Sequence, residues 1–238
     1  MRKENNLWEK SPLSKLRIFL AIANYFIGYM MLYPSLLVRF TLFVKPNATQ
    51  VPPLYEFVVY AFVMITTILL LKPLLKKAYV EFKQIDKKAV LKTIGASYLW
   101  MLAFNFLINL CILLFTKNQM SMNQIGVEQS LKATPVLIVF ATLIFAPIVE
   151  EGVFRGAVFR PLRSKYSFYT AAIVSSLLFG FIHIYQSLLN GNFNDLWYLL
   201  SYSFVGFFTC RVYEKTENIY SAMLFHLLNN LLAIMVII

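Results

Sequence analysis

Two adjacent carboxylates, Glu150 and Glu151, interrupt the apolar run "FAPIVEEGVFRGAVF" at residues 145–159. Arg155 follows Glu151 by four residues, so the two side chains share one helix face and can form an ion pair. Glu150 lies about 100° further round the helix. A structural ion pair that ties the helix end to its neighbours explains Glu151 and Arg155, but it leaves Glu150 unexplained. The spacing therefore indicates one clamped carboxylate and one that is available as a general base.

The chain has two histidines, and both lie in apolar segments. His183 occurs in "LLFGFIHIYQ" and His226 in "SAMLFHLLNN", with Phe179 and Asn230 four residues away on the same helix faces. A histidine in an apolar helix is more often a hydrogen-bonded interior residue than a ligand, and we expect Phe179 to be a packing wall. With Glu150, the two histidines could hold a catalytic zinc ion with an open position. The same groups could also act on water without a metal.

The composition is that of a membrane protein. Of 238 residues, 59% are hydrophobic and 14% charged, whereas about a quarter are charged in soluble domains. Ionisable residues inside membrane helices are costly and indicate functional sites. We predict an all-α polytopic bundle in one integral membrane domain, with a tail and three helices in 1–134 and four helices in 135–238. The seven predicted spans, of which the sixth is the shortest, are 18–44, 54–75, 94–115, 135–158, 168–189, 196–212 and 219–238.

The net charge of +11 favours basic cytoplasmic loops over nucleic-acid binding, because membrane proteins concentrate Lys and Arg on the cytoplasmic side. The N-terminal tail and the loops after the second, fourth and sixth spans carry most of the basic residues. The opposite loops carry four: Arg39, Lys45, Lys117 and Lys132. The bias predicts a cytoplasmic N-terminus and an extracellular C-terminus. The tail residues on which it depends are Arg2, Lys3, Lys10, Lys15 and Arg17.

Small residues and cysteines have simpler interpretations. Gly152 and Gly156 form a GxxxG beside the charges, and this spacing lets another helix approach closely. Cys111 and Cys210 show no CxxC or metal spacing. We predict that both are buried thiols that act as small hydrophobic groups.

Three motifs taken together resemble those of a known family. "EEGVFRG" is similar to EExxxR, "FGFIH" to FxxxH, and "HLLNN" to a His followed four residues later by Asn. These are the motifs of the CPBP family, the CAAX-type and bacteriocin-processing intramembrane proteases also called the Abi family. Each motif is weak alone, but the ordered set is specific. The resemblance covers roughly residues 135–238, less than half of the chain.

The resemblance implies an intramembrane endopeptidase whose helical bundle opens a conical cavity toward the cytoplasm. By the family pattern, Glu150 activates the hydrolytic water with help from His183, and His226 and Asn230 stabilise the oxyanion. The family is often described as metalloproteases, and a metal-free glutamate mechanism is also argued for it. The residues leave both open, with Glu150 and the two histidines as the candidate zinc ligands.

The remaining motif residues and the substrate follow from the same resemblance. Glu151 and Arg155 would hold the first motif in place and position the substrate. Prenyl-protein proteases of this family tend to have eight spans, and the difference from seven lies in the N-terminal half. The Asn-, Lys-, Ile- and Phe-rich composition favours a bacterial host, which lacks prenylated CAAX proteins. We therefore expect a peptide or membrane-protein substrate, in bacteriocin immunity, peptide maturation or signalling.

Two other functions compete with proteolysis. A non-catalytic membrane scaffold could regulate a partner such as a sensor kinase through helix–helix contacts. A proton-coupled transporter would also place Glu and His inside helices. The chain lacks a pair of broken helices in two symmetric halves, which disfavours the transporter.

Overall fold

The structure, a computed structural model, describes residues 11–116 and 120–237, which contain helices and no strand. The predicted tail charges Arg2, Lys3 and Lys10, the loop residue Lys117 and the terminal Ile238 lie outside the described residues. We label eight helices of the described part α1 to α8. They are α1 Lys15–Val44, α2 Pro53–Gln84, α3 Lys87–Thr116, α4 Met122–Ala133, α5 Pro135–Arg163, α6 Phe168–Leu189, α7 Tyr198–Thr216 and α8 Ile219–Ile237.

The predicted multi-pass helical bundle is confirmed. Within the described residues, six helices are long and apolar enough to cross a membrane: α1, α2, α3, α5, α6 and α8. The predicted sixth span corresponds to α7, which falls short of this apolarity and ends in Arg211, Glu214 and Lys215. α7 packs against α3, α6 and α8, and many of its side chains are buried. Because its neighbours cover it, α7 does not need a continuous apolar surface.

The first helix passes Pro34 without breaking. Its turns widen to π-helical geometry at Asn24–Leu32, where the N–H of Tyr33 donates to the carbonyl of Gly28. Proline cannot donate a backbone hydrogen bond and its ring crowds the preceding turn, and a wider turn relieves that crowding. The wide segment is also where α1 presents Tyr25 to the interior.

The helices have two distinct ends. Helix α1 begins at the same end as the junctions α2/α3, α5/α6 and α7/α8, and we call this the basic end. There Arg163 pairs with Glu214 at 2.9 Å, and a closed apolar core includes Leu74, Ala157 and Ile219. We call the other end the open end. It holds the junctions α1/α2, α3/α4/α5 and α6/α7, and the end of α8.

The outer surface of the bundle is apolar, with exposed Leu, Phe, Val and Ile side chains on all six candidate spans. This is the surface that a lipid environment requires.

The prediction for Cys210 is confirmed, because its thiol is buried. The prediction for Cys111 is wrong, because that cysteine is exposed among the outward-facing side chains of α3.

Candidate active site

The backbone of α5 is irregular on both sides of the two carboxylates. π-helical turns at Ala141–Phe145 and Gly152–Phe159 flank the α-helical turn Ala146–Glu151. The N–H of Ala146 donates to Ala141, and Pro147 has no N–H, so the carbonyl of Thr142 lacks a donor from the following turn. The amide nitrogen of Asn230 donates to that carbonyl at 2.8 Å. π-Helical turns are frequent at functional sites, and here one of them connects α5 to α8.

The predicted pair of Glu151 and Arg155 forms inside the protein. Glu151 Oε2 lies 3.1 Å from Arg155 Nε, and both side chains are fully buried. Glu151 Oε1 lies 2.8 Å from Nδ1 of His226. Arg155 also donates to the carbonyl of Gly206 at 2.7 Å and lies over the ring of Phe179 at 4.8 Å. Glu151 therefore connects the arginine to one of the two histidines.

Glu150 has a different environment from its neighbour. Its Oε1 accepts a hydrogen bond of 3.4 Å from the hydroxyl of Tyr25. Its Oε2 lies 4.0 Å from Nε2 of His226 and has no hydrogen-bond partner among the described residues. Glu150 is 9% exposed, whereas Glu151 is 0% exposed. Both oxygens of Glu151 thus lie close to an ionic partner, whereas Glu150 is held more loosely and lines the cavity wall.

His183 is held in one orientation by its own helix and by α7. Its Nδ1 lies 2.8 Å from the carbonyl of Phe179. Because a carbonyl only accepts, Nδ1 carries the proton and the neutral ring presents the lone pair of Nε2. Tyr202 stacks on the imidazole at 4.5 Å. Phe179 also packs edge-on against His226 at 5.6 Å, so its predicted role as a packing wall is confirmed.

A hydrogen-bond network attaches the short helix α4 to this ring. The hydroxyl of Tyr202 lies 2.7 Å from that of Ser121 and accepts from Asn123 at 3.2 Å. Buried Asp195 accepts from the backbone N–H of Met122 at 2.9 Å and from a serine of α6 at 2.6 Å. The start of α4 is therefore fixed beside His183 by side chains from the α6–α7 region.

Two adjoining cavities bring the candidate residues together. The first has a volume of about 450 Å³ and is lined by Glu150 and His183. The second, of about 350 Å³, is lined by the same two residues and by His226 and Asn230. Four of the six predicted site residues therefore line these two cavities, which share Glu150 and His183. Glu151 and Arg155 line neither cavity and lie behind its wall.

The described residues contain no cluster of side chains that could bind a metal ion. Across residues 11–116 and 120–237, no group of three or more His, Cys, Asp or Glu side chains is arranged to hold a metal ion. Nδ1 of His226 is engaged by Glu151 and Nδ1 of His183 by a carbonyl, which leaves Nε2 of each ring available. As placed in this structure, Glu150, His183 and His226 do not form such a group.

Several residues of the site lie outside the three motifs. Tyr25, Tyr29 and Tyr60 line the cavity from α1 and α2, and Asn123 lines it from α4. Tyr202 lines it from α7. In the sequence, Tyr25 and Tyr29 are four residues apart and therefore share one helix face. Aromatic residues at that spacing are common in membrane helices, so the spacing alone did not indicate a site. Their role depends on contacts across the bundle that the sequence does not specify.

The GxxxG of α5 is a packing motif, as predicted. A Cβ on Gly152 would lie 2.7 Å from Cδ1 of Leu71, and one on Gly156 would lie 3.0 Å from Cδ2 of Leu74. Both leucines belong to α2. The two glycines allow α2 to approach α5 closely, and this contact closes the site toward the basic end.

The cavity opens away from the basic end. The outer lining of the first cavity includes Leu37, Val38 and Val51 beside the α1/α2 junction. A third cavity, which shares His183 with the first, is lined by Asn190 and Asn192 beside the α6/α7 junction. All these residues lie at the open end. The sequence predicted both a cytoplasmic N-terminus and a cavity that faces the cytoplasm. These two predictions are incompatible in this fold, because α1 begins at the opposite end of the bundle from the mouth.

Comparisons with known proteins locate the similarity in the part of the chain that holds the site. A protein of Bacillus subtilis (strain 168), "Putative membrane peptidase YdiL", is 29% identical over 146 residues, which cover 58% of this chain and 55% of that protein. The chain thus aligns with about half the length of this curated relative. No solved structure matches the chain at a significant level. Residues 132–232 match the family model described as type II CAAX prenyl endopeptidase Rce1-like, and the segment that holds all six predicted site residues is therefore Rce1-like, as its three motifs predicted.

Proposed function

We propose that the protein is an intramembrane endopeptidase in which Glu150 activates a water molecule to hydrolyse a peptide bond. The observation that carries this proposal is the difference between the two carboxylates. Each oxygen of Glu151 has an ionic partner within 3.1 Å, Arg155 or His226. The oxygens of Glu150, which lines the cavity, have their partners at 3.4 and 4.0 Å. A structural pair needs only one carboxylate. The names of the matching family and of the B. subtilis protein support peptidase chemistry.

The proposed first step uses the gap between Glu150 and His226. Their facing atoms are 4.0 Å apart, and polar groups at such separations are often joined through water. Glu150 removes a proton from this water as its oxygen attacks the carbonyl carbon of the substrate. Nε2 of His183 accepts the other hydrogen bond of the water. When the C–N bond breaks, Glu150 returns the proton to the leaving amine.

The proposed oxyanion site lies on α8. One N–H of the Asn230 amide donates to Thr142, which fixes the amide plane and leaves the second N–H for the tetrahedral intermediate. His226, whose Nδ1–H is held by Glu151, contributes an Nε2–H from the adjacent turn when its ring carries both protons. Donors that are already oriented before the reaction stabilise developing charge effectively. Glu151 and Arg155 act as positioning residues, because they fix the His226 ring from behind the cavity wall.

The proposed substrate is a peptide or a membrane-associated polypeptide of a bacterial cell. Lipid-facing helices surround the site, so a substrate that reaches it from the bilayer or its surface avoids a long aqueous path. Bacteriocin immunity, peptide maturation and control of signalling are the processes in which we place such a peptidase.

The test is a comparison of cells that carry wild-type protein, Glu150→Gln or the control Glu128→Gln. Glu128 is a carboxylate on α4 that pairs with Lys132 outside the cavity. Peptides from cells and medium are compared by mass spectrometry, and membrane levels of the three proteins are checked. We expect a precursor to accumulate with Glu150→Gln alone, which would also identify the substrate.

An unchanged peptide profile at equal membrane levels would contradict the proposal. If the cellular phenotype of a deletion were also rescued by Glu150→Gln, a scaffold that regulates a partner such as a sensor kinase would replace it. The scaffold predicts sensitivity to changes on a lipid-facing helix surface and none to loss of this carboxyl charge.

A further inference from the structure

The mouth of the cavity and the positive charge of the protein are at opposite ends of the bundle. Seven lysines lie between Lys72 and Lys92 around the α2/α3 junction, and Arg163 and Lys165 lie at the α5/α6 junction. At the open end, the described basic residues are Arg39, Lys45 and Lys132. Since short loops rich in Lys and Arg stay in the cytoplasm, the basic end is the cytoplasmic end.

Access from the basic end is blocked by packing. Leu71 and Leu74 of α2 contact the glycines of α5, and both leucines belong to a buried core with Phe159 and Tyr213. No residue of this core lines the three cavities that reach the site region. A substrate must therefore arrive through the open end or from the bilayer beside it.

The charge of the lining indicates which peptides fit. The ionisable side chains of the first cavity include the carboxylates of Glu56 and Glu150 and the imidazole of His183, together with tyrosines, and no Lys or Arg is among its described lining residues. The second cavity adds His226 and again no Lys or Arg. An opening with carboxylates and aromatic rings attracts cationic groups, through charge and through cation–π contacts.

We infer that the site is open to the extracytoplasmic side and takes cationic peptide segments that have crossed or face the outer surface of the membrane. This inference rests on the proposed peptidase function and names its substrate class. It excludes the C-termini of prenylated proteins as substrates, because these C-termini are cytoplasmic and the bundle is closed at its cytoplasmic end.

The first test maps the two ends by cysteine labelling in intact cells. Cys111 is replaced by alanine, and Cys210 is kept because it is buried. Ala48→Cys marks the open-end loop, Gln186→Cys marks the cavity mouth, and Lys165→Cys marks the basic end. Gln186 and Lys165 are exposed and Ala48 is partly exposed.

A membrane-impermeant maleimide should label the first two variants in intact cells and Lys165→Cys only after permeabilisation. The reverse pattern would overturn the inference and leave the peptidase proposal intact, since that depends on Glu150→Gln. Labelling does not require activity. A protein that shows the expected labelling pattern but no peptidase activity would therefore contradict only the peptidase proposal.

The second test measures protection of Gln186→Cys in purified protein. The probes are a Leu/Lys octapeptide and a Leu/Glu octapeptide of equal length. We expect the cationic peptide to slow maleimide labelling at least threefold more than the acidic one, and Glu56→Gln to reduce this difference. Equal protection by the two peptides would refute the charge preference.

Discussion

Removing Arg155 should destabilise the protein far more than removing an exposed arginine or lysine from a similar pair. In Arg155→Met, the fully buried carboxylate of Glu151 keeps its charge but loses its ionic partner at 3.1 Å. The backbone carbonyl of Gly206 also loses its hydrogen-bond donor. Breaking a buried pair by removing one partner costs about 3–5 kcal/mol. For a chain of this size each kcal/mol corresponds to a shift of about 2–4 °C. We therefore expect the melting temperature in detergent to fall by about 6–20 °C.

The chain offers a matched control in Lys132→Met. Lys132 and Glu128 are also four residues apart, at 2.9 Å, but the lysine side chain is 73% exposed. Exposed pairs contribute about 0–1 kcal/mol, so the melting temperature should change by less than about 4 °C. Glu151→Gln combined with Arg155→Met should recover part of the loss, because it removes the unpaired charge. Equal melting temperatures for Arg155→Met and Lys132→Met would refute this reasoning.

Three further changes test the packing and the site. Gly180→Ala would place a Cβ 2.8 Å from a backbone carbonyl oxygen of α7. It should destabilise the protein by about 1–3 kcal/mol and lower the melting temperature. The control Gly95→Ala, whose Cβ would meet no atom within 4 Å, should leave the melting temperature unchanged. Tyr25→Phe should lower kcat/KM about three- to tenfold on the substrate found by mass spectrometry, since it removes one long hydrogen bond to the proposed base; an unchanged rate would exclude that role. Asn230→Ala should lower kcat about 10²–10³-fold, and a smaller effect would place the oxyanion elsewhere.

Local spacing was sufficient to predict the interactions within one helix. Glu151 and Arg155 pair as their i,i+4 positions require, and the glycines of the GxxxG lie where a second helix approaches. These relations follow from the fixed rise and rotation of a helix. The apolar runs likewise predicted the helices, since backbone groups in a bilayer must be satisfied within the segment.

Contacts between helices could not be predicted in the same way. Tyr25 reaches Glu150 across 125 positions of sequence, and the Nδ1 atom of His226 turns to Glu151 rather than to the cavity. Both depend on how far each helix is rotated and tilted, and many packings suit the same apolar pattern. The direction of the mouth was predicted from the resemblance alone. The loop charges that set the orientation do not reveal at which end the helices diverge.

The anchoring of α4 links the mouth of the cavity to the ring that it leads to. Asn123 lines the opening and also bonds the hydroxyl of Tyr202, whose ring stacks on His183. A displacement of α4 that widens the opening must therefore strain or break the contact that orients this imidazole. If a substrate enters past α4, its entry and the alignment of the His183 imidazole are therefore coupled through Asn123 and Tyr202.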